Sequence, residues 1–170
     1  PRVAAIYATV DTQKSDFRYV VRAFGYGQEM ESWKIACGSL PSFEALEENI
    51  LFRTFQDAAE NEYSVDFTFI DSGGTKTAEV YKWAKEHRSR VMPIKGASNA
   101  QRLPINYTRL EKFPNSGKSI KGGLSLAILD TKFFKDLLAE KMQIASGDTG
   151  CFNLCRESDV PQAYFDEMRA

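Results

Sequence analysis

The sequence of 170 residues predicts a mixed α/β fold in which one sheet is flanked by helices. Three strand-like runs come first, because apolar, aromatic and β-branched residues dominate 3–10, 17–26 and 30–36. A helical period then begins at Ser42, and strand-like and helix-like segments alternate after it. With 43% hydrophobic and 26% charged residues, the composition is that of one globular domain.

The first three strands are expected to form an antiparallel meander. Val3 to Val10 is an unbroken apolar run, which is typical of a strand buried on both faces. The runs from Phe17 to Tyr26 and from Met30 to Ala36 follow, and Gly25 and Gly27 mark a tight turn between them. Short connections of this kind join antiparallel neighbours, so the second strand should lie between the first and the third.

A helix and a fourth strand are expected next. Ser42 is a plausible cap for an amphipathic helix that continues to about Ala59. The apolar positions of this helix recur at helical spacing: Phe43, Leu46, Ile50, Phe55 and Ala58. The alternating run from Val65 to Ile70 predicts the fourth strand, and Gly73 and Gly74 should open a second helix.

The remaining elements are shorter. Arg90 to Lys95 predicts a fifth strand, in which Pro93 favours an edge or irregular position. A turn-rich region follows, with further strands expected at Tyr107 to Phe113 and at Leu124 to Leu129. Asp130 or Thr131 should cap the next helix, and the last short helix should carry Tyr164, Phe165 and Met168.

The order of these elements predicts where functional residues meet. A meander followed by right-handed crossovers gives the strand order 3-2-1-4-5, in which strands one and four are parallel neighbours. Ligands in open α/β sheets bind at the carboxyl ends of strands where the strand order reverses. Asp11 closes strand one and Asp71 closes strand four, so their carboxylates should lie side by side.

Two neighbouring aspartates have two plausible uses. They either hold Mg²⁺ or Mn²⁺, hard cations that prefer oxygen ligands, or share a proton. Two such ions, about 3.5–4 Å apart, would suit hydrolysis of a phosphodiester. The alternative is that Asp11 and Asp71 are turn or cap residues, a common role for aspartate. Their joint position where the strand order reverses favours the metal site.

Charge and composition exclude several classes of protein. The net charge of −1 gives no global reason for avid nucleic-acid binding. A polyanion could still approach residues 95–121, where one acid, Glu111, stands against six bases: Lys95, Arg102, Arg109, Lys112, Lys118 and Lys121. The alternative, which charge alone slightly favours, is that these residues form a solvated face. No run is apolar enough to span a membrane and no signal-peptide pattern begins the chain, so a cytoplasmic location is expected. The three cysteines, Cys37, Cys151 and Cys155, lack paired spacing and indicate free thiols.

Two other motifs indicate structure rather than chemistry. Gly117-Lys118-Ser119 lacks the first glycine and the following helix of a phosphate loop, so we interpret it as a turn. His87 falls at a helix end, where a cap or surface role is commoner than catalysis.

A series of motifs along the chain resembles a known family. Thr9-Val10-Asp11-Thr12-Gln13 comes first, followed by Asp16, Phe24-Gly25-Tyr26-Gly27 and Trp33. Phe69-Ile70-Asp71-Ser72-Gly73-Gly74 then precedes Thr77, Val80-Tyr81 and Lys95-Gly96, and Tyr164-Phe165 lies near the end. Together these motifs resemble the nuclease domain of the phage terminase large subunit, in the lambda-like GpA family, over nearly the whole chain.

The resemblance implies an RNase H-like fold and an endonuclease that cuts concatemeric double-stranded viral DNA with two Mg²⁺ or Mn²⁺ ions. It assigns Asp11 and Asp71 as the catalytic metal ligands. The family's third acid is expected beyond Ala170; Asp130 and Asp148 are better interpreted as a helix cap and a turn residue. Residues 1–170 would then be a single nuclease domain of a longer ATPase–nuclease chain, without its C-terminal end. The terminase small subunit and the portal are the implied partners.

Two alternatives remain. One is another RNase H-like nuclease, of the resolvase or transposase type, which would need a third acid within the chain. The other is a non-catalytic interaction module on the same scaffold, in which Asp11 and Asp71 are structural.

Overall fold

The predicted meander is present in the computed structural model of the protein, which describes residues 3–27, 30–114, 116–154 and 161–169. It consists of β1 (Val3–Thr12), β2 (Phe17–Gly25) and β3 (Ser32–Leu40). Both pairings are antiparallel, with Ala8 opposite Val21 and Val21 opposite Ala36.

The helix that follows is shorter than expected. It comprises α1 (Phe43–Leu46), which continues as the π-helical segment Glu47–Leu51. The Ser42 hydroxyl caps it by accepting a 3.2 Å hydrogen bond from the Ala45 N–H, as predicted. The predicted continuation to Ala59 is wrong, because a hairpin of β4 (Thr54–Gln56) and β5 (Glu62–Ser64) takes its place.

Asp57 explains why the chain turns here. Its Oδ1 accepts hydrogen bonds from the backbone N–H groups of Ala59 and Asn61, both at 2.9 Å, which close the hairpin loop. Hydrogen bonds from Asn61, first of all from its side chain, hold the pKa of Asp57 below its usual range. Aspartate side chains that bond to the backbone two residues ahead favour turns over helix. Phe55 therefore reaches the core from a strand and not from a helix.

Parallel strands with a crossover helix form the next unit. It consists of β6 (Phe67–Asp71), α2 (Thr77–Glu86) and β7 (Val91–Gly96). The prediction that Pro93 marks an edge or irregular strand is wrong, because β7 lies inside the sheet. On its other side β7 pairs with the strand Ser119–Leu129, and this pairing begins only at Ile94. Pro93, which has no N–H to donate, therefore lies just before these hydrogen bonds begin.

The chain then adds strands to both ends of the sheet. The hairpin of β8 (Ile105–Lys112) and β9 (Ser119–Leu129) leads into α3 (Thr131–Gln143). After α3 come β10 (Phe152–Leu154) and α4 (Gln162–Arg169). The sheet has eight strands in the order β10-β3-β2-β1-β6-β7-β9-β8. This mixed α/β architecture is compatible with an RNase H-like fold, and the five strands of the predicted order lie inside the larger sheet.

The two faces of the sheet differ in burial. The core face carries Ala8, Val10 and Ile70, each at most 2% exposed, which pack with residues of α1 and α2. Because side chains alternate along a strand, Thr9 and Phe69 point to the opposite face, which we call the outer face. Thr9 is exposed and Phe69 is partly buried.

Glu47 joins the π-helical segment to α2. Its Oε1 accepts a 2.9 Å hydrogen bond from Nε1 of Trp83 and lies 2.8 Å from Nε2 of His87, the C-cap of α2. Glu47→Ala should therefore lower the free energy of unfolding by about 1–3 kcal/mol, because the indole N–H of the buried Trp83 loses its acceptor. Urea denaturation measures this loss. Glu48→Ala, at the exposed neighbouring position, is the control, and an equal effect of the two substitutions would contradict the prediction.

Candidate metal and nucleic-acid site

Asp11 and Asp71 meet at one edge of the sheet. Val10 and Ile70 pair across the parallel strands β1 and β6, so the residues that follow them lie side by side at the carboxyl ends. Val10 and Ile70 point into the core, and alternation therefore places both aspartate side chains on the outer face. Asp11 is exposed and Asp71 is half-buried. We call this pair the acidic edge.

Neighbouring groups orient the acidic edge. Oγ1 of Thr12 donates a 2.7 Å hydrogen bond to the backbone oxygen of Asp71, which ties the two strand ends together. Oδ1 of Asp71 accepts a 3.1 Å hydrogen bond from the Gly73 N–H. Nε2 of Gln13 donates to Oδ2 of Asp11. Among the described residues none donates to Oδ1 of Asp11 or Oδ2 of Asp71, so one oxygen of each carboxylate is available to a ligand.

The glycines after Asp71 keep the loop close to the acidic edge. A Cβ at Gly73 would lie 3.3 Å from Oδ1 of Asp71, and one at Gly74 would lie 3.6 Å from the Thr12 oxygen. Oγ1 of Thr77 then donates hydrogen bonds to the oxygens of Ser72, at 2.8 Å, and Gly74, at 2.7 Å. These bonds begin α2, so Gly73 and Gly74 open a helix, as predicted.

A cleft of about 420 Å³ extends from the acidic edge to Pro161 and Tyr164 of the C-terminal region. Asp16 is a third carboxylate of this cleft, which sequence reasoning noted only as a landmark of the resemblance. A hydrogen bond from Ser39 is the first cause that holds the pKa of Asp16 below its usual range, so Asp16 stays ionised. The signal for it was the short β1–β2 connection, which brings Asp16 back beside the end of β1.

The chemistry of the acidic edge suits a hard divalent cation. Mg²⁺ prefers oxygen donors, keeps several of its waters, and is commonly held by only one or two carboxylates. The two available carboxylate oxygens of Asp11 and Asp71 meet this requirement. Within the described residues, no three His, Cys, Asp or Glu side chains are grouped so as to hold a metal ion.

Comparison with known proteins places the chain in a family. The family described as "Terminase large subunit gpA, endonuclease domain" matches residues 1–170. The chain belongs to this family. A curated relative, "Terminase, large subunit" of Escherichia phage lambda, is 34% identical over 104 residues. The match covers 57% of this chain and 16% of that relative, so the chain spans a small part of the relative's length. No solved structure matches the chain.

Thr12 is the residue of this gpA-family chain whose side chain holds the backbone of Asp71 in place. Thr12→Val keeps the side-chain shape but removes the hydrogen bond to the Asp71 backbone. Groups that orient metal ligands typically change metal affinity or activity by 10–100-fold when they are replaced. We expect Mn²⁺ affinity, measured by calorimetry, to fall by about tenfold with little change in melting temperature. Thr108→Val, at an exposed position of β8, is the matched control; equal Mn²⁺ affinity in both variants would contradict the role.

The six bases predicted to contact DNA are exposed, but they do not form one patch. Lys95 and Arg102 lie toward the end of the sheet that carries the acidic edge, because β8 begins opposite the end of β9. The other four follow the β8–β9 hairpin toward the opposite end: Arg109, Lys112, Lys118 and Lys121. Contact of all six with DNA stays a prediction.

The other motifs have structural roles. Asp130 is the N-cap of α3, and its Oδ1 accepts a 3.2 Å hydrogen bond from the Phe133 N–H. A backbone hydrogen bond from Gln101 is the first cause that holds the pKa of Asp130 below its usual range. Asp148 lies in a turn, where its oxygen accepts from the Cys151 N–H at 3.2 Å. Gly117, with a φ of 63°, lies in the turn before β9, as predicted.

Two cations, the partly buried Arg22 and the buried Lys34, were not anticipated from the sequence. Nη2 of Arg22 donates to the oxygens of Ser32, at 3.2 Å, and Asn153, at 3.1 Å. Burial lowers the pKa of Arg22 to about 10. Lys34 is fully buried, with Nζ 5.5 Å from the centre of the Tyr164 ring. These contacts hold β10 and α4 against the sheet, and Tyr164 in turn lines the cleft.

Two remaining expectations concern cysteines and membranes. Cys37 and Cys151 are free thiols, as predicted, and Cys155 lies outside the described residues. Among the described helices, none has the length and apolar character needed to cross a bilayer.

Proposed function

We propose that this chain is the metal-dependent endonuclease domain of a viral DNA-packaging terminase large subunit. It cuts concatemeric double-stranded DNA by two-metal phosphodiester hydrolysis. The observation that carries the proposal is that Asp11 and Asp71 directly follow the paired residues Val10 and Ile70, at the carboxyl ends of two parallel central strands. Membership of the gpA endonuclease-domain family supports the same assignment.

The residues of the acidic edge have distinct roles in this proposal. Asp11 and Asp71 hold Mg²⁺ or Mn²⁺ through the carboxylate oxygens that accept no hydrogen bond from a described residue. When bound, such ions activate water and stabilise the leaving oxygen of a phosphodiester. Thr12 and Gly73 orient Asp71, and Gln13 orients Asp11. Asp16 adds negative charge to the cleft beside them, which favours a bound cation.

The proposed partners follow from the family and from the charge of the chain. Double-stranded DNA is the substrate, and the terminase small subunit and the portal are the assembly partners, in the cytoplasm of the host cell. A near-neutral chain suits an enzyme to which DNA is delivered, because a net charge of −1 gives little long-range attraction for a polyanion. The exposed bases of 95–121 would supply local, salt-dependent contact with the DNA backbone.

A plasmid-nicking assay tests the proposal. The purified protein is incubated with supercoiled DNA at low salt in the presence of Mn²⁺, Mg²⁺, Ca²⁺ or EDTA. We expect nicked and linear DNA with Mn²⁺ or Mg²⁺ and none with EDTA. Cutting that persists in EDTA would contradict the metal mechanism. Because the family's third acid is expected beyond Ala170, the isolated chain is expected to be weak or inactive, and absence of cutting with every ion contradicts the nuclease assignment only if a version extended past Ala170 is also silent.

A further inference from the structure

A second cleft, of about 190 Å³, lies against β7, β8 and β9 and has two arginines in its wall. These are Arg88, in the turn between α2 and β7, and Arg109, in β8. Met92 and Ser125 also line this cleft. Two guanidinium groups at one small cleft are suited to an anion, because each presents a planar fork of donors.

An unusual bulge brings the two arginines together. Leu110 pairs with Leu124 and Lys112 pairs with Ser119, so four residues of β9 (120–123) stand opposite the single residue Glu111. Gly122 and Gly123 within the bulge have φ angles of 81° and 65°, which favour glycine. Bulges of this kind redirect side chains and are frequent beside functional sites.

The glycines also leave the space that the guanidinium groups need. A Cβ at Gly123 would collide with Nε of Arg109, and one at Gly122 would lie 3.1 Å from Nη1 of Arg88. Nη2 of Arg109 donates a 3.0 Å hydrogen bond to the Gly122 oxygen, which fixes the side chain over the bulge. The two guanidinium groups therefore stand over adjacent residues of one backbone segment.

Donor capacity remains at both arginines. Arg88 is exposed and makes no hydrogen bond or ion pair with another described residue. Nε of Arg109 lies 3.3 Å from Oε1 of Glu111, but both side chains of this ion pair are about two-thirds exposed or more. Exposed ion pairs are weak, so Glu111 would compete little with an incoming anion.

Part of the wall of the second cleft shares a face of the sheet with the acidic edge: Met92 and Ser125 do so, whereas Val91 and Leu124 belong to the core. Ile94 pairs with Asp71 and lines the first cleft, while Met92, two residues earlier in β7, lines the second. Residues two apart in a strand share a face, but the two sites are also separated across the sheet, because three strand spacings of about 4.8 Å lie between Asp71 in β6 and Arg109 in β8. A DNA strand carries one phosphate for every 3.4 Å or so of helix axis, so this separation of roughly 15 Å corresponds to about five nucleotides.

We propose that Arg88 and Arg109 form a subsite that binds a backbone phosphate of the DNA a few nucleotides from the scissile bond. This inference rests on the proposed function, which supplies the DNA. The subsite supplies register and affinity without base specificity, because phosphate contacts position a duplex and do not read its sequence. It also gives Arg109, which lines this cleft together with Arg88, a more specific role than a general contribution to the charge of 95–121.

The test measures binding separately from cleavage. A short fluorescent DNA duplex is titrated with the protein in EDTA, by anisotropy, over a series of salt concentrations. Arg88→Gln and Arg109→Gln should each weaken binding by roughly tenfold at low salt. Each should also reduce the slope of log K against log salt by about 0.9, the value for one lost phosphate contact. Arg53→Gln removes the same charge from another exposed arginine and should change neither quantity.

Every outcome of this test decides the inference. Equal affinity and slope in the Arg88→Gln, Arg53→Gln and unsubstituted proteins would overturn it, as would no binding of DNA by the unsubstituted protein. The melting temperature of each variant shows whether it is folded. If the Arg109→Gln protein is unfolded, the result for Arg88→Gln alone decides the inference. Nicking that survives unchanged in both arginine variants but requires Asp11 would leave the proposed function standing without the subsite. DNA binding that depends on the two arginines, without nicking, would support the subsite and contradict the proposed nuclease activity.

Discussion

Asp11→Asn is expected to abolish Mn²⁺-dependent nicking, with a fall in rate of about a thousandfold or more. Metal-ion stabilisation contributes several kcal/mol to such a transition state, and each 1.36 kcal/mol or so corresponds to a factor of ten. Asparagine keeps the shape of the side chain and its acceptor for Gln13 but loses the negative charge that the proposed cation site requires. Asp71→Asn should have the same effect for the same reason. Calorimetric titration with Mn²⁺ should show that heat of binding is lost together with nicking.

The control for these substitutions is Asp136→Asn. Asp136 lies on α3, where its carboxylate pairs with Lys132 at 2.6 Å and its side chain is 60% exposed. This variant should keep both Mn²⁺ binding and nicking. If nicking survives in both Asp11→Asn and Asp71→Asn, the acidic edge is not the active centre. The alternative of a non-catalytic interaction module, in which both aspartates are structural, would then be preferred.

The acidic edge was predictable because it depends on local signals. The apolar runs end directly before Asp11 and Asp71, which lie within the last two residues of β1 and β6. The right-handed crossover rule then made the two strands parallel neighbours, which brings their ends together without knowledge of any side-chain contact. Ser42, Asp130 and Gly117 were predictable for a similar reason, because caps and turns depend on residues within a few positions in sequence.

Other features depend on partners that are distant in the sequence. The helical spacing up to Ala58 fits a helix as well as it fits the β4–β5 hairpin, and only the bonds of Asp57 decide between them. The pairing of β10 with β3 joins residues more than one hundred positions apart, so the buried roles of Arg22 and Lys34 had no local signal. The bulge of β9 likewise follows from its register with β8. The second cleft could therefore be found only in the folded protein.

Phe17→Ala is expected to cause a large loss of stability, about 3–5 kcal/mol in the free energy of unfolding. Phe17 is 1% exposed and begins β2, where it pairs with Thr12 beside the acidic edge. Its ring centre is 4.7 Å from that of Phe43 in α1, and Nζ of Lys76, before α2, lies 4.4 Å from the ring centre. The substitution therefore removes one side chain that joins the sheet to both helices of the core face, and it leaves a cavity. Urea denaturation with an unchanged m-value would measure the loss.

Phe133→Ala is the matched control, because it removes the same type of side chain from α3, where Phe133 is 46% exposed. It should cost less than about 1 kcal/mol, as most exposed substitutions do. Because Phe17 supports the end of β1, the Phe17→Ala protein should also bind Mn²⁺ more weakly at temperatures where it remains folded, whereas Phe133→Ala should not. A loss of stability that is equal in the two variants would show that the core does not extend to the acidic edge. In that case the orientation of Asp11 and Asp71 would depend on the loop bonds of Thr12 and Gly73 alone.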